Sequence, residues 1–120
     1  MPIEITLWMP ATTFAEGDPC LLDLQIENLG APRPADLYVL LDVFGAYWCY
    51  PSWQPLDAGI DYQTITVPGG SSTLTLIPDF TMPAVSSIGP LYFYAAMFEP
   101  GTLSLDTLVS NGAVWGFSLD

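Results

Sequence analysis

The sequence predicts an all-β protein, a two-sheet antiparallel Ig-like sandwich of about 7–8 strands. Three observations carry that reading. Apolar and polar residues alternate with period two in segment after segment, Pro and Gly separate the segments at near-regular intervals, and no stretch shows helical periodicity. The chain has 120 residues, enough to bury one sizeable core without a metal, and it contains no internal repeat or low-complexity tract. A single domain over residues 1–120 is therefore expected.

The first strand spans residues 3–8, and Pro10 followed by Glu16-Gly17-Asp18-Pro19 supplies the turn chemistry that closes it. Residues 20–27 alternate most cleanly: Cys20, Leu22, Leu24 and Ile26 point one way, Asp23, Gln25 and Glu27 the other. After a loop over 28–34, residues 37–44 are apolar on nearly both faces, with Asp42 the only charge, which predicts a central strand. Gly45 reads as a bulge or bend, beyond which an aromatic ribbon continues over 46–53. Strands are expected at 60–67 and 73–80, the latter confined to an edge or bulge by Pro78. Residues 91–98 form another buried strand, 102–110 a longer crossing with room for a short helical turn, and 113–119 the closing strand.

Charge narrows the function. Thirteen carboxylates face one basic residue, Arg33, with no Lys or His, for a net charge of −12. Nucleic-acid binding is excluded, because neutralising phosphates takes several cations on one face, and attraction to anionic lipid fails for the same reason. No apolar run is long enough to insert in a membrane as a helix. Without His or Lys, and with two Cys, the usual general bases, Schiff-base amines and zinc sets are missing. No enzyme is expected. Met1 leads directly into a strand-like segment, so any secretion signal is expected to have been removed or replaced.

If residues 20–27 and 37–44 pair as a hairpin centred on Pro34, Cys20 falls opposite Cys49, within disulfide reach across the pair or, were the strands in facing sheets, across the sandwich. The bond would contribute about 3–4 kcal/mol and suit an oxidising compartment. The alternative is two buried free thiols acting as small hydrophobes.

Paired carboxylates are the remaining chemical candidates. Asp57 and Asp61 flank Gly59, and Glu16 and Asp18 flank Gly17. Oxygen ligands on such loops suit calcium, whereas solvated turn residues are the plainer reading; no cofactor is otherwise expected. In the ribbon, alternation sets Tyr47, Pro51 and Trp53 on one face. Turned outward they form a sugar-stacking platform or protein-docking patch; turned inward they fill the core.

Four segments carry a family likeness: Leu41-Asp42-Val43-Phe44-Gly45-Ala46-Tyr47-Trp48, Tyr50-Pro51-Ser52-Trp53, Pro78-Asp79-Phe80-Thr81-Met82-Pro83 and Tyr92-Phe93-Tyr94-Ala95-Ala96-Met97. From about residue 13 onward the chain resembles the uncharacterised Ig-like modules near the C-termini of large secreted bacterial surface proteins. The resemblance implies an extracellular or cell-surface location and the sandwich architecture, with no catalytic residues to carry over.

The function expected is a non-catalytic structural or adhesive module acting through protein contacts with copies of itself or a neighbouring module, extending to self-assembly in a fibre or surface layer. Carbohydrate binding through exposed Trp and Tyr is the alternative. The terminal strands, marked by Ile5 and Val114, are expected to be the assembly edges, since Glu4 is the only charge on the first and the last carries none.

Overall fold

The computed structural model describes residues 3–84 and 86–120. Alternation decides which side of each strand turns inward. In β1 (Ile3–Trp8) every second residue is buried, from Ile3 to Leu7, while Glu4, Thr6 and Trp8 are exposed. β1 pairs antiparallel with β3 (Pro19–Asn28), which pairs in turn with β8 (Gly70–Thr81), making a three-stranded sheet. A larger, seven-stranded sheet faces it, in the order β2 (Thr13–Phe14), β10 (Ala113–Leu119), β9 (Ile88–Phe98), β4 (Arg33–Val43), β5 (Ala46–Cys49) and β6 (Gln54–Pro55). β7 (Gln63–Val67) pairs with the first half of β4, on the side where β5 takes the second half. The expected all-β sandwich is present.

Leu22, Leu24 and Ile26 from the smaller sheet meet Leu37, Val39, Phe93 and Met97 from the larger, and Phe14 and Phe117 close the β2–β10 side. Each such side chain contributes about 1.5–3 kcal/mol through its burial. Phe93 and Phe117 stack with ring centroids 5.3 Å apart, tying β9 to β10.

Three departures from the sequence reading shape the surface. β3 and β4 are not a hairpin: the chain crosses between them from one sheet to the other, and β4 begins at Arg33, inside the expected loop. Pro34 is tolerated there because it lies outside the stretch of β4 that pairs with β9 and faces only Thr66 of β7. Phe44-Gly45 is neither bulge nor bend but a two-residue hairpin turn, with φ of 53° and 88°, closed by the Val43–Ala46 pair. Positive φ at both central positions is what the type I′ turn requires. The aromatic ribbon therefore reverses direction. Finally, residues 60–62 precede β7 as a loop rather than forming its first turn of strand.

Candidate functional site

The Phe44-Gly45 turn fixes the place of Cys49, and the alternation of β3 that of Cys20. Cys49 pairs with Leu40, whose side chain lies on the outer face of the larger sheet, whereas Cys20 lies in the core between the sheets. Both are buried free thiols, so the expected disulfide is not formed. The larger sheet itself stands between the two sulfurs. Burial raises the pKa of the Cys20 thiol.

A second turn separates Tyr47 from Trp53. Tyr47 pairs with Asp42 and faces outward, half-buried. Trp53 turns in, its ring 6.0 Å from Phe93 and 5.8 Å from Tyr50. A tight turn over residues 49–53, in which Trp53 N–H donates to the Cys49 carbonyl and Trp53 adopts φ 58°, interrupts the alternation that would have set the two side by side. Trp53 instead lines a cleft of about 430 Å³ between the sheets, with Leu41, Val43, Trp48 and Ile77.

The acidic loops are used internally. Asp61 accepts the Ser52 N–H at 3.1 Å and the Tyr62 N–H at 2.9 Å, and the Ser52 contacts hold its carboxyl below the ordinary carboxylate pKa. Asp57 sits in a short 3-10 turn over Leu56–Ala58. Asp18 accepts the Ala15 N–H within its own turn. Among the described residues no three His, Cys, Asp or Glu side chains converge as a metal site, so no third carboxylate joins Asp57 and Asp61.

β1 lies at the edge of the smaller sheet with part of that edge occupied, whereas β10 is not the outermost strand of the larger sheet. At Ile5, which is buried, the Asn111 side chain accepts the backbone N–H and donates to the carbonyl. Ile3 adds a bridge to Ser110. β10 pairs with β9 along its length and, through Ser118 and Leu119 alone, in parallel with β2. Val114 pairs with Tyr94 of β9, and its exposed side chain points from the sheet's face.

That outer face of the larger sheet is the most distinctive surface of the molecule. β4 and β9 send alternate residues outward: Tyr38, Leu40 and Asp42 from one, Tyr92, Tyr94, Ala96 and Phe98 from the other, in register. Tyr62 stacks on Tyr38 at 5.0 Å and Phe98 meets Tyr38 edge-on at 5.4 Å. Beside them, Leu40, Ile60, Leu103 and Val114 line an apolar depression of about 360 Å³. Burial raises the pKa of the Tyr38 hydroxyl, with Asp36 and Tyr62 adding to it. Asp36 itself is buried, each oxygen accepting one hydrogen bond, from the Thr64 hydroxyl at 2.6 Å and the Gly101 N–H at 2.9 Å, which fastens β7 and the β9–β10 loop to β4.

At the other end of this face, Asp42 lies between Tyr47 on β5 and Tyr92 on β9. The Tyr94 hydroxyl donates to its Oδ2 at 3.4 Å, and the Gly45 N–H donates to Oδ1 at 2.8 Å. Partial burial, then the Asp42 carboxylate, push the Tyr94 pKa up. Tyr92 and Tyr94 are near-parallel, 27° between planes. Tyr92 can lie across β10 because its partner there is Gly116, where an added Cβ would approach the ring to 2.9 Å.

The opposite outer face, on the smaller sheet, is polar and acidic. Glu4 pairs directly with Glu27, and the next row is Thr6, Gln25 and Thr73. The sandwich thus sorts its surface into an acidic face and an aromatic one. Sequence reasoning missed the aromatic face because 37–44 and 91–98 read as strands buried on both sides. The tyrosines at 38, 92 and 94, alternating with aliphatic residues and Phe93, were the signal that one side is amphipathic.

Neither a family model nor a curated protein sequence matches the chain. Among solved structures it is similar to the CARDB domain of the PF1109 protein from Pyrococcus furiosus, a structure in complex with di-metal ions. The TM-score is 0.58 at 15% identity, over 98% of this chain and 87% of that one. At that identity the likeness extends to the fold. Weaker similarities, with TM-scores of 0.40 and 0.38 at 10% identity, link it to the alkylpurine DNA glycosylase AlkC of Pseudomonas fluorescens and the sporulation control protein Spo0M of Bacillus subtilis. The chain spans 30% and 49% of those two.

Proposed function

We propose that this protein is a non-catalytic, extracellular β-sandwich module that binds another protein through the outer face of its larger sheet. The observation that carries the reading is the sorting of that surface. In a chain of net charge −12, the face around Tyr38, Tyr62, Phe98 and Val114 collects aromatic and aliphatic side chains, and such patches on otherwise polar proteins mark association sites. Its half-buried tyrosines offer large area with a polar tip, the composition enriched where interfaces concentrate their energy. The acidic partner face, with Glu4 opposite Glu27, keeps the other side of the module in water. The occupied backbone of Ile5 argues for docking by a sheet face in place of edge-to-edge assembly.

A photo-crosslinking side chain at position 114 should capture protein in the native setting, and the same group at Thr6 should not. Equal capture at both positions, or none at 114, would overturn the reading.

Carbohydrate binding is a second reading, favoured by one observation, the near-parallel Tyr92 and Tyr94 rings beside a carboxylate. Retention on a polysaccharide that is lost with Tyr92→Ala would establish it.

A further inference from the structure

Resting on the protein-docking reading, we propose that Asp42, set among Tyr47, Tyr92 and Tyr94, receives the guanidinium group of an arginine borne by a partner protein other than a copy of this chain. The pairing register places a tyrosine on each side of the carboxylate, Tyr47 across β5 and Tyr92 across β9, with the Tyr94 hydroxyl on Oδ2. A carboxylate offers about four acceptor positions over its two oxygens. Here the Gly45 N–H and the Tyr94 O–H take one each, which leaves acceptor capacity on both oxygens for an incoming donor.

Charge points to a cation. Asp42 has no basic side chain of its own chain to neutralise it: the one arginine, Arg33, lies 3.8 Å from Glu99. An anionic ligand would be repelled by the remaining carboxylates, and a neutral sugar would leave the half-buried charge of Asp42 uncompensated. Between the two cationic side chains, a guanidinium suits the site better. It is planar, stacks on tyrosine faces, is more weakly hydrated than an ammonium, and bonds both carboxylate oxygens with a fork of N–H groups. The near-parallel rings of Tyr92 and Tyr94 provide flat surfaces beside that fork. A second copy could bring only Arg33, and two chains of net charge −12 repel one another, so the donor is a different, more basic protein.

The test uses a short probe that minimises diffuse attraction to an acidic protein: the blocked tripeptide Gly-Arg-Gly, with its lysine and citrulline counterparts, titrated into the labelled full chain and followed by amide chemical shifts. The arginine peptide should move the resonances of Asp42, Tyr47, Tyr92 and Tyr94, the lysine peptide should bind several-fold more weakly, and the neutral citrulline peptide should not bind. Asp42→Asn, which keeps an acceptor for the Gly45 N–H and so preserves the hairpin, should abolish the shifts. Glu27→Gln removes the same charge from the opposite face and should leave them intact. Equal weakening by both substitutions, or shifts spread over the smaller sheet, would overturn the guanidinium inference while leaving the docking face standing. A soluble cello-oligosaccharide that moves Tyr92 and Tyr94 when the arginine peptide moves nothing would overturn this inference also. The docking reading falls separately, through the crosslink at position 114.

Discussion

Asn111 brackets the backbone of Ile5: its Oδ1 accepts the Ile5 N–H at 2.8 Å and its Nδ2 donates to the Ile5 carbonyl at 2.9 Å. One side chain from the β9–β10 loop thereby occupies both backbone groups that Ile5 would otherwise offer to a neighbouring strand at the outer edge of β1.

Asn111→Ala should therefore do two things at once. Loss of both bonds should lower stability by about 1–3 kcal/mol, read by chemical denaturation. Freed edge groups should also promote self-association, read as a rise in mass by sedimentation with protein concentration. A variant that stays monomeric with unchanged stability would show that Asn111 does not guard the edge.

Gly116→Ala should destabilise by about 1–3 kcal/mol, because a Cβ at 2.9 Å from the Tyr92 ring is overpacked. Pairing it with Tyr92→Ala should recover part of the loss, since the second change removes the obstructed ring. Strict additivity in thermal denaturation of the two single variants and the double variant would place the cost elsewhere.

Both thiols should be silent in the native state. With Cys20 and Cys49 buried, free and on opposite sides of a sheet, an aromatic disulfide reagent should react with neither until denaturant is added. It should then titrate two thiols without any reductant. A native mass that rises on reduction and alkylation beyond that of the unreduced, denatured control would restore the disulfide.

Asp61 sets a pH dependence of known sign. Its carboxyl is held below the ordinary value by hydrogen bonds from Ser52, then by the Tyr62 N–H. A depressed folded-state pKa stabilises the fold above the unfolded value, and that contribution is lost as pH falls through the folded one. Ser52→Ala should raise the Asp61 titration midpoint, measured by carboxyl carbon shifts, toward that of an unperturbed aspartate. An unmoved midpoint would refute the assignment to Ser52.

The sequence was most legible where one face of a strand is buried and the other wet. β1, β3 and β10 begin and end within a residue of their expected bounds, because a register slip there would turn every apolar side chain to water. Legibility failed at turns. A two-residue type I′ hairpin usually announces itself with Asn-Gly, and Phe44 in the first position hides that signal. The two misplaced readings have separate sources: the disulfide rested on a β3–β4 hairpin that the crossing between sheets replaces and on a ribbon without the Phe44-Gly45 reversal, and the Tyr47–Trp53 platform rested on an alternation that the turn over 49–53 breaks. The Asp42 site depends on Tyr92 and Tyr94, some fifty positions away, and no local pattern reports that pairing. Asn111, a single residue in a loop, carries no periodic signature at all.

The parallel contact between β2 and β10 also has a mechanical meaning. The Thr12 carbonyl receives the Ser118 N–H, and the Phe14 carbonyl receives the Asp120 N–H. Tension applied between the two ends of the chain would pull these strands lengthwise in opposite directions, so the bonds between them carry load together in shear and do not peel one after another. A module tethered at both ends would thus resist force in shear at its β2–β10 seam once β1 has come away from β3, with Phe14 packed against Phe117 behind it. Single-molecule extension of Phe14→Ala should show that seam yielding at lower force.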